Sequence, residues 1–226
     1  MINPEILQRD NIKNLKPYST ARDEYEGRVG VFLDANENSF GSPAGKNLNR
    51  YPDPRQKELK EKLAEIKEIE TENIFIGNGS DEAIDLILRA FCEPGKDSVL
   101  IMPPTYGMYK VAAEINGVDV IEVPLNKRFD ADAEEVLSAA TDNTKAVFIC
   151  SPNNPTGNLL SRKTILNILE NFNGFVVLDE AYVDFAETKS FVNEINDRNN
   201  LIVLQTFSKA WGLANLRVGS AFADKR

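Results

Sequence analysis

Amphipathic stretches alternate with short apolar runs along most of this chain. In the amphipathic stretches the apolar residues recur at three and four positions, as Leu59, Leu63 and Ile66 do. This spacing predicts helices over residues 55–67, 81–91, 106–116, 131–140 and 161–171. The apolar runs are rich in β-branched residues and predict strands over residues 74–76, 98–102, 119–123, 145–150, 175–179, 201–206 and 217–221. Several of the runs lack alternation, as expected of strands covered on both faces.

Helices that alternate with strands in this way are typical of an α/β fold. We expect a three-layer α/β/α sandwich with a mostly parallel sheet over residues 51–226. Residues 1–50 are rich in Asn, Pro, Gly and Tyr and predict an irregular N-terminal arm. The predicted strand at 217–221 lies very close to the last residue, Arg226. Either the final element is short or the chain is a fragment of a longer polypeptide.

The charge and composition exclude several classes of function. The chain has 226 residues, 26 of them Lys or Arg and 35 Asp or Glu, for a net charge of −9. Such acidity opposes binding to nucleic acid or to an anionic membrane surface. The chain has no histidine, which excludes Ser-His-Asp triads and His-based zinc sites, and we expect no metal.

Cysteine content and the N-terminus indicate a cytoplasmic protein. Cys92 and Cys150 both lie beside apolar residues, as small buried hydrophobes in a reducing compartment do. Pro4, Glu5 and Asp10 stand where a signal peptide needs a cationic start and an apolar run. The longest apolar runs have strand length and are too short to cross a bilayer. We therefore expect no membrane partner.

Four polar segments follow predicted strands, where open α/β sheets place their ligands. Each has an ordinary structural interpretation when taken alone: a helix cap, a β-turn, a cap at Asp179 or a solvated lysine at Lys209. The segments are residues 77–82 (GNGSDE), 151–157 (SPNNPTG), 179–182 (DEAY) and 206–213 (TFSKAWGL).

The order and spacing of these four segments resemble those of fold-type I pyridoxal-phosphate enzymes, the aspartate aminotransferase superfamily. Within it the chain is most similar to the histidinol-phosphate aminotransferases, and the resemblance covers essentially the whole chain. The closer similarity rests on residues 15–18 (LKPY), 34–38 (DANEN), 50–54 (RYPDP) and 103–109 (PPTYGMY).

The resemblance implies a role for each cofactor-site residue. Lys209 is implied to form the Schiff base with pyridoxal 5′-phosphate and to move the substrate's α-proton. Asp179 is implied to face the pyridine nitrogen, and Arg217 to hold the phosphate. The remaining implied contacts are Ser80, Asp81, Thr206 and Ser208 at the phosphate, Asn154 and Tyr182 at the ring oxygen, and Tyr106 and Ala181 on the two ring faces.

The resemblance also implies that the N-terminal region contributes to the site. Tyr51 is implied to reach the cofactor phosphate of a neighbouring subunit, which implies a homodimer with shared active sites. Tyr18 and Asn36 are implied to bind the substrate. Residues 1–50 would then be the arm and the start of a small lobe.

The implied reaction is amino transfer between L-histidinol phosphate and 2-oxoglutarate, which gives imidazole acetol phosphate and glutamate in histidine biosynthesis. In the resembling family a C-terminal small domain carries the arginines that grip the substrate. We therefore expect an incomplete large domain in this chain, and no measurable transamination by the 226 residues alone. The alternatives are a threonine-phosphate decarboxylase, another fold-type I aminotransferase, a non-catalytic pyridoxal-phosphate-binding regulatory domain, or an inactive remnant.

Overall fold

The computed structural model describes residues 3–18, 31–45 and 48–225. The α-helices of these residues are α1 (Pro4–Leu7), α2 (Asp10–Lys13), α3 (Lys57–Lys67), α4 (Ser80–Phe91), α5 (Met108–Ile115), α6 (Ala133–Ala139) and α7 (Arg162–Asn171). The β-strands are β1 (Ile74–Gly77), β2 (Ser98–Ile101), β3 (Asp119–Glu122), β4 (Thr144–Cys150), β5 (Phe175–Asp179), β6 (Leu201–Thr206) and β7 (Gly219–Ala223). Short 3-10 helices span Thr71–Asn73, Val183–Phe185, Phe191–Asp197 and Ala214–Leu216.

The strands form a seven-stranded sheet in the order β1-β7-β6-β5-β4-β2-β3. Strands β2 to β6 pair in parallel, whereas β7 runs antiparallel to both of its neighbours, β1 and β6. Strand β1 therefore points in the same direction as β4, β5 and β6. The carboxyl ends of these four strands meet at one edge of the sheet, where β7 begins.

Helices cover both faces of the sheet, which confirms the predicted three-layer α/β/α sandwich. Helices α3, α6 and α7 supply Leu63, Val136 and Ile168 to the core on one face. Helices α4 and α5 supply Leu88 and Ala113 to the core on the other face. Hydrophobic residues at helical spacing thus bury one stripe of each helix, as the sequence pattern predicts.

The two cores share the central strands by simple alternation. In β5, Val176 and Leu178 join the first core, whereas Phe175 and Val177 join the second. Because side chains alternate along a strand, Asp179 at the end of β5 points to the same face as Val177. This is the face covered by α4 and α5.

The predicted element boundaries agree with the structure to within two residues, with one correction that concerns function. The strand predicted at 217–221 is β7, which begins only at Gly219. Arg217 has φ of 51° and ends the preceding 3-10 turn. Its left-handed backbone is incompatible with a strand, so the placement of Arg217 in the strand was wrong.

The predicted irregular arm over residues 1–50 falls partly outside the described ranges, and within them it carries two four-residue helices. Helices α1 and α2 are short but regular. Arg9, between them, is held by the end of α4: its backbone N–H donates to Ala90 O, and its side chain donates to Arg89 O and pairs with Glu93. The segment is therefore docked against the second core, where Leu7 packs.

Candidate active site

One cavity opens at the sheet edge where β1, β4, β5 and β6 end. Its volume is about 190 Å³. Its wall is made of Gly79, Ser80, Asp81, Tyr106, Cys150, Asn154, Asp179, Ala181, Tyr182, Thr206, Ser208, Lys209 and Arg217. The topology explains this convergence, because each contributing segment leaves or enters the sheet at the same edge.

The structure brings together all the cofactor-site residues predicted within one subunit. Three predicted residues of the N-terminal region lie elsewhere: Tyr51, Tyr18 and Asn36 are not part of the cavity wall, and all three are exposed. Tyr18 is 89% exposed and Tyr51 is 70% exposed. The roles assigned to these three residues remain predictions.

Asp179 is the buried acid of the cavity, with 2% of its surface exposed. Its Oδ2 accepts a hydrogen bond from the Tyr109 hydroxyl at 2.7 Å, and its Oδ1 accepts one from the Ala181 backbone N–H at 3.0 Å. Burial raises the pKa of the Asp179 carboxyl, whereas these two hydrogen bonds and Lys209 act in the opposite direction. The two hydrogen bonds thus fix the Asp179 carboxylate in position, while burial leaves its negative charge only partly compensated.

Sequence reasoning gave no role to Tyr109, which the structure places directly on Asp179. Its ring stacks on Phe148 at 5.0 Å between centroids, and its edge meets Tyr106 at 5.5 Å. Burial, followed by the neighbouring Asp179, raises the pKa of Tyr109 well above its ordinary value, so Tyr109 acts as a neutral donor. The available signal was the position of Tyr109 in the predicted helix over residues 106–116, three residues after Tyr106.

Cys150 is a cavity-wall residue to which the sequence gave no chemical role. It ends β4 beside Asp179, and its thiol donates a hydrogen bond to Pro152 O at 3.4 Å. Burial raises the pKa of Cys150 to about 12. The thiol therefore remains protonated and inert at neutral pH.

Tyr106 forms another wall of the cavity. Its hydroxyl donates a hydrogen bond to Asp81 Oδ1 at 3.1 Å, which links the segment before α5 to the first turn of α4. Burial and Asp81 raise the pKa of Tyr106 to about 12. This bond fixes an aromatic ring, in its neutral form, over the cavity.

Lys209 lies in a loop tied to its surroundings at several points. The Ser208 N–H donates to Thr206 Oγ1 at 3.2 Å, and the Gly212 N–H donates to Lys209 O at 3.0 Å. Lys209 Nζ is 5.5 Å from the centre of the Tyr182 ring. The amine is thus presented to the cavity beside an aromatic wall.

The groups at one end of the cavity suit an anion. Arg217 Nη1 donates to Ser208 Oγ at 3.2 Å, and the first N–H groups of α4 have no helical acceptor. Gly79 has φ of 84°, and a Cβ there would lie 2.7 Å from Arg217 Nη2. A guanidinium, a hydroxyl and a helix N-terminus therefore surround one point, which is the chemistry of a phosphate site.

Close backbone packing supports this cradle from behind. A Cβ at Gly219 would lie 2.2 Å from both Gly79 C and Ser80 N. The start of β7 can approach the turn before α4 this closely only because residue 219 is glycine. The position of Arg217, two residues before Gly219, depends on that contact.

The described residues contain neither a membrane-spanning helix nor a cluster of metal-ligating side chains. No helix in residues 3–18, 31–45 and 48–225 is long and apolar enough to cross a membrane. In the same ranges no group of three or more His, Cys, Asp or Glu side chains is arranged to hold a metal ion.

The fold and the cavity define an α/β protein with a lysine, a buried acid and an anion cradle at one sheet edge. Comparison with known proteins gives its family. The sequence model of aminotransferase class I and II matches residues 27–226, and the chain belongs to that family. The family expected from the sequence is thus confirmed.

Comparison with individual proteins shows which members of this family the chain resembles. The chain is 61% identical to a histidinol-phosphate aminotransferase of Cytophaga hutchinsonii over 98% of this chain and 64% of that protein. The crystal structure of the Sinorhizobium meliloti histidinol-phosphate aminotransferase in complex with pyridoxal-5′-phosphate has a TM-score of 0.73 at 27% identity, over 84% of this chain and 55% of that one.

A different activity appears among the structural relatives. The L-threonine-O-3-phosphate decarboxylase of Porphyromonas gingivalis has a TM-score of 0.66 at 28% identity, over 78% of this chain and 52% of that one. The chain also spans less than two thirds of the length of its curated relatives, 64% in the case of the Cytophaga protein.

Proposed function

We propose that the cavity binds pyridoxal 5′-phosphate and that the protein transfers an amino group between L-histidinol phosphate and 2-oxoglutarate. The products are imidazole acetol phosphate and glutamate, a step of histidine biosynthesis. The observation that carries the proposal is the convergence of Lys209, Asp179 and Arg217 on one cavity. The 61% identity to a histidinol-phosphate aminotransferase supports the choice of substrate.

The residues present fit this cofactor at each of its functional groups. Arg217, Ser208 and the N-terminus of α4 suit the phosphate, and the tight approach at Gly79 leaves backbone groups accessible to it. The remaining residues of the proposal all lie in the cavity wall. We assign Thr206, Ser80 and Asp81 to the phosphate, Asn154 and Tyr182 to the ring oxygen, and Tyr106 and Ala181 to the ring faces. When bound, the cofactor supplies an electron-withdrawing ring that stabilises negative charge at the substrate's α-carbon.

Asp179 is suited to hold the ring nitrogen in its protonated form. The carboxylate is buried, and burial raises its pKa, so a cation beside it is strongly favoured. Tyr109 and Ala181 already donate one hydrogen bond to each oxygen and fix the orientation of the group. A carboxylate held in this way favours the charged ring without having to reorganise during the reaction.

Lys209 is suited to hold the cofactor covalently through Nζ and then to move a proton. With the cofactor bound, the Lys209 amine would be positioned to accept the substrate's α-proton and to donate it again, acting first as base and then as acid. The Tyr182 ring beside Nζ and the hydrogen-bonded loop limit the positions available to the lysine.

Amino transfer is favoured over decarboxylation by the degree of similarity. Identity to the histidinol-phosphate aminotransferase is 61%, whereas identity to the threonine-phosphate decarboxylase is 28%. We also propose a cytoplasmic homodimer in which Tyr51 reaches the cofactor phosphate of the other subunit and Tyr18 and Asn36 contact substrate. The exposure of Tyr18 and Tyr51, which leaves both side chains free to meet another molecule, supports this part.

The test is amino transfer with a defined pair of substrates. The chain is completed with the part of the Cytophaga relative outside the matched region, loaded with pyridoxal 5′-phosphate and mixed with histidinol phosphate and 2-oxoglutarate. We expect glutamate to accumulate, and Lys209→Ala to abolish its formation. Loss of carbon dioxide from threonine phosphate without glutamate formation, or binding of cofactor with neither reaction, contradicts the proposal.

A further inference from the structure

Two adjacent carboxylates, Asp179 and Glu180, lie at the C-terminal end of β5 and point to opposite faces of the sheet. Asp179 faces the cavity, whereas the alternation along the strand directs Glu180 to the face of Val176 and Leu178. Gln205, one residue before Thr206 in β6, faces the same way as Glu180. Glu180 is only 3% exposed, so its carboxylate is enclosed in protein and not in the cavity wall.

Glu180 has three hydrogen-bond donors around it. Its Oε2 accepts from the Ser190 hydroxyl at 2.5 Å and from Gln205 Nε2 at 2.9 Å. Its Oε1 accepts from the Phe191 backbone N–H at 2.8 Å. Ser190 Oγ in turn accepts from the Val192 N–H at 3.1 Å and caps the 3-10 helix that follows.

These bonds join the two ends of one loop. Residues 181–189 follow Glu180 and end at Ser190, which caps the 3-10 helix Phe191–Asp197, so a single carboxylate holds the two ends of the loop together. The loop begins with Ala181 and Tyr182, which are both part of the cavity wall. It continues to Asp184, whose Oδ2 accepts from Trp211 Nε1 at 3.0 Å in the Lys209 loop.

A buried carboxylate closes a loop at a cost in free energy, because burial disfavours its charged form. Burial raises the pKa of Glu180, and the bonds from Ser190, Phe191 and Gln205, with the more distant charge of Lys67, only oppose that effect. Removal of such a charge in favour of apolar packing is often neutral or stabilising. What the carboxylate provides instead is three directional contacts at one point, which fix the loop in a single geometry.

We propose that Glu180 is a positioning residue that closes the 181–189 loop and thereby holds Ala181 and Tyr182 in the cavity wall. Its effect on the bound cofactor rests on the proposed function, because it acts through the contact of Tyr182 with the cofactor ring. The closure of the loop does not depend on any ligand. The two parts of the proposal can therefore be tested separately.

The first test is amide hydrogen exchange of the 226-residue chain without cofactor. In Glu180→Gln an amide –NH₂ replaces one acceptor oxygen among three donors. We expect exchange at Phe191 and Val192 to accelerate by roughly 10- to 100-fold, the change expected when a hydrogen bond to a charged group is lost. Glu187→Gln makes the same chemical change at an exposed position of the same loop and should leave these rates unchanged.

A reciprocal exchange of side chains gives the sharper test. In the double variant E180Q/Q205E the carboxylate and the amide trade places, so residue 205 accepts where it donated before. The Phe191 N–H still meets an oxygen, now the amide oxygen of residue 180. We expect the double variant to recover most of the protection lost in E180Q, which is non-additivity that a general packing defect does not produce.

A milder variant keeps the test decisive if E180Q does not fold. Ser190→Ala removes one of the three donors and should accelerate exchange at Phe191 by a smaller factor than E180Q does. Val192 is left out of this comparison, because its N–H loses its own acceptor in Ser190→Ala. Exchange that is unchanged in both E180Q and S190A overturns the proposal, as does a double variant that is no better protected than E180Q.

The second test adds pyridoxal 5′-phosphate and follows its absorption spectrum against pH. Because Tyr182 is placed at the ring oxygen, we expect the midpoint of the spectral transition to shift in E180Q and to return toward its original value in E180Q/Q205E. A midpoint that stays constant although exchange accelerates contradicts the link to Tyr182. The chain without substitutions could bind no cofactor while the variants still show the expected differences in exchange. In that case the proposed function fails and the loop closure stands.

Discussion

The cavity edge and the N-terminal region of this chain carry predicted site residues of very different kinds. At the cavity edge, Asp179, Lys209 and Arg217 converge because buried strands deliver them to the same place. In the N-terminal region, Tyr18 and Tyr51 are exposed and lie outside the cavity wall. Strand topology fixes the first set within one chain, whereas the second set would join a site only in the proposed homodimer.

The two regions also differ in how their side chains are held. Asp179 has a hydrogen bond to each oxygen and is fixed before any ligand arrives. Around Tyr51 the bonds are between neighbouring parts of the arm: the Tyr51 N–H donates to Glu37 Oε1 at 2.7 Å, and Arg50 donates to Glu37 at 2.6 Å. Preorganisation is thus concentrated at the sheet edge. Substitutions at the edge should therefore have large effects, and substitutions in the arm small ones.

The largest effect is expected at Lys209. In the completed, cofactor-loaded protein, Lys209→Ala should reduce amino transfer by about 10³-fold or more, since a positioned acid–base group contributes some 10²–10⁴-fold. Steady-state and half-reaction rates measure this. Lys96→Ala, at an exposed position, is the control and should retain full activity. A Lys209→Ala variant within tenfold of the original rate would show that another group moves the proton.

Asp179→Asn should reduce amino transfer by about 10²- to 10³-fold, the size expected when one preorganised electrostatic partner is lost. The amide keeps the shape of the group but carries no negative charge to hold the ring nitrogen protonated. Rates in the completed protein measure the effect. Transfer at the original rate would show that Asp179 only orders the loop that follows it.

The same variant should change the pH dependence of stability in the cofactor-free chain. The folded-state pKa of Asp179 lies above its ordinary value of 3.8. Between pH 3.8 and the folded-state pKa, the folded chain therefore binds more protons than the unfolded chain. Stability contributed by this group is therefore complete below pH 3.8 and is lost as pH rises through the folded value. Asp179→Asn should flatten this decline, and denaturant unfolding at several pH values measures it. Because the pKa of Glu180 is raised too, part of the slope should remain.

Gly219→Ala should destabilise the cofactor-free chain by about 3 kcal/mol, because overpacking against backbone leaves no side chain free to move away. The added Cβ would lie 2.2 Å from Gly79 C and Ser80 N. Gly107→Ala is the matched control, since a Cβ there meets nothing within 4 Å. Urea unfolding of both variants measures the difference. Equal unfolding free energies of the two variants would show that the start of β7 can move away from the turn before α4 without loss of stability.

A pair of Tyr→Phe variants compares the two regions with the same chemical change. Tyr109→Phe removes the buried hydroxyl from Asp179 and should cost about 1.5–3 kcal/mol. Tyr51→Phe, in the exposed arm, should change stability by less than about 0.5 kcal/mol. Unfolding free energies of the two variants measure the contrast. Similar values would contradict the claim that fixed geometry is confined to the sheet edge.

The sequence predicted the elements well because their periodicities are local. Apolar spacing located helices α3 to α7 and the seven strands to within two residues, and the loops after the strands located the cavity wall. Arg217 was misplaced because no side-chain pattern reveals a positive φ. The roles of Tyr109 and Gln205 were missed because each depends on a partner far away in sequence, Asp179 for one and Glu180 for the other.

The central claim is that Lys209 is the residue presented to a phosphate-bearing aldehyde at the sheet edge. The most direct measurement loads the chain with pyridoxal 5′-phosphate, reduces it with borohydride and maps the modified peptide by mass spectrometry. We expect a single label, on Lys209. Arg217→Leu should lower the amount of labelled peptide, and Lys209→Ala should remove the label. A label on another lysine, or one spread over several exposed lysines, would contradict it.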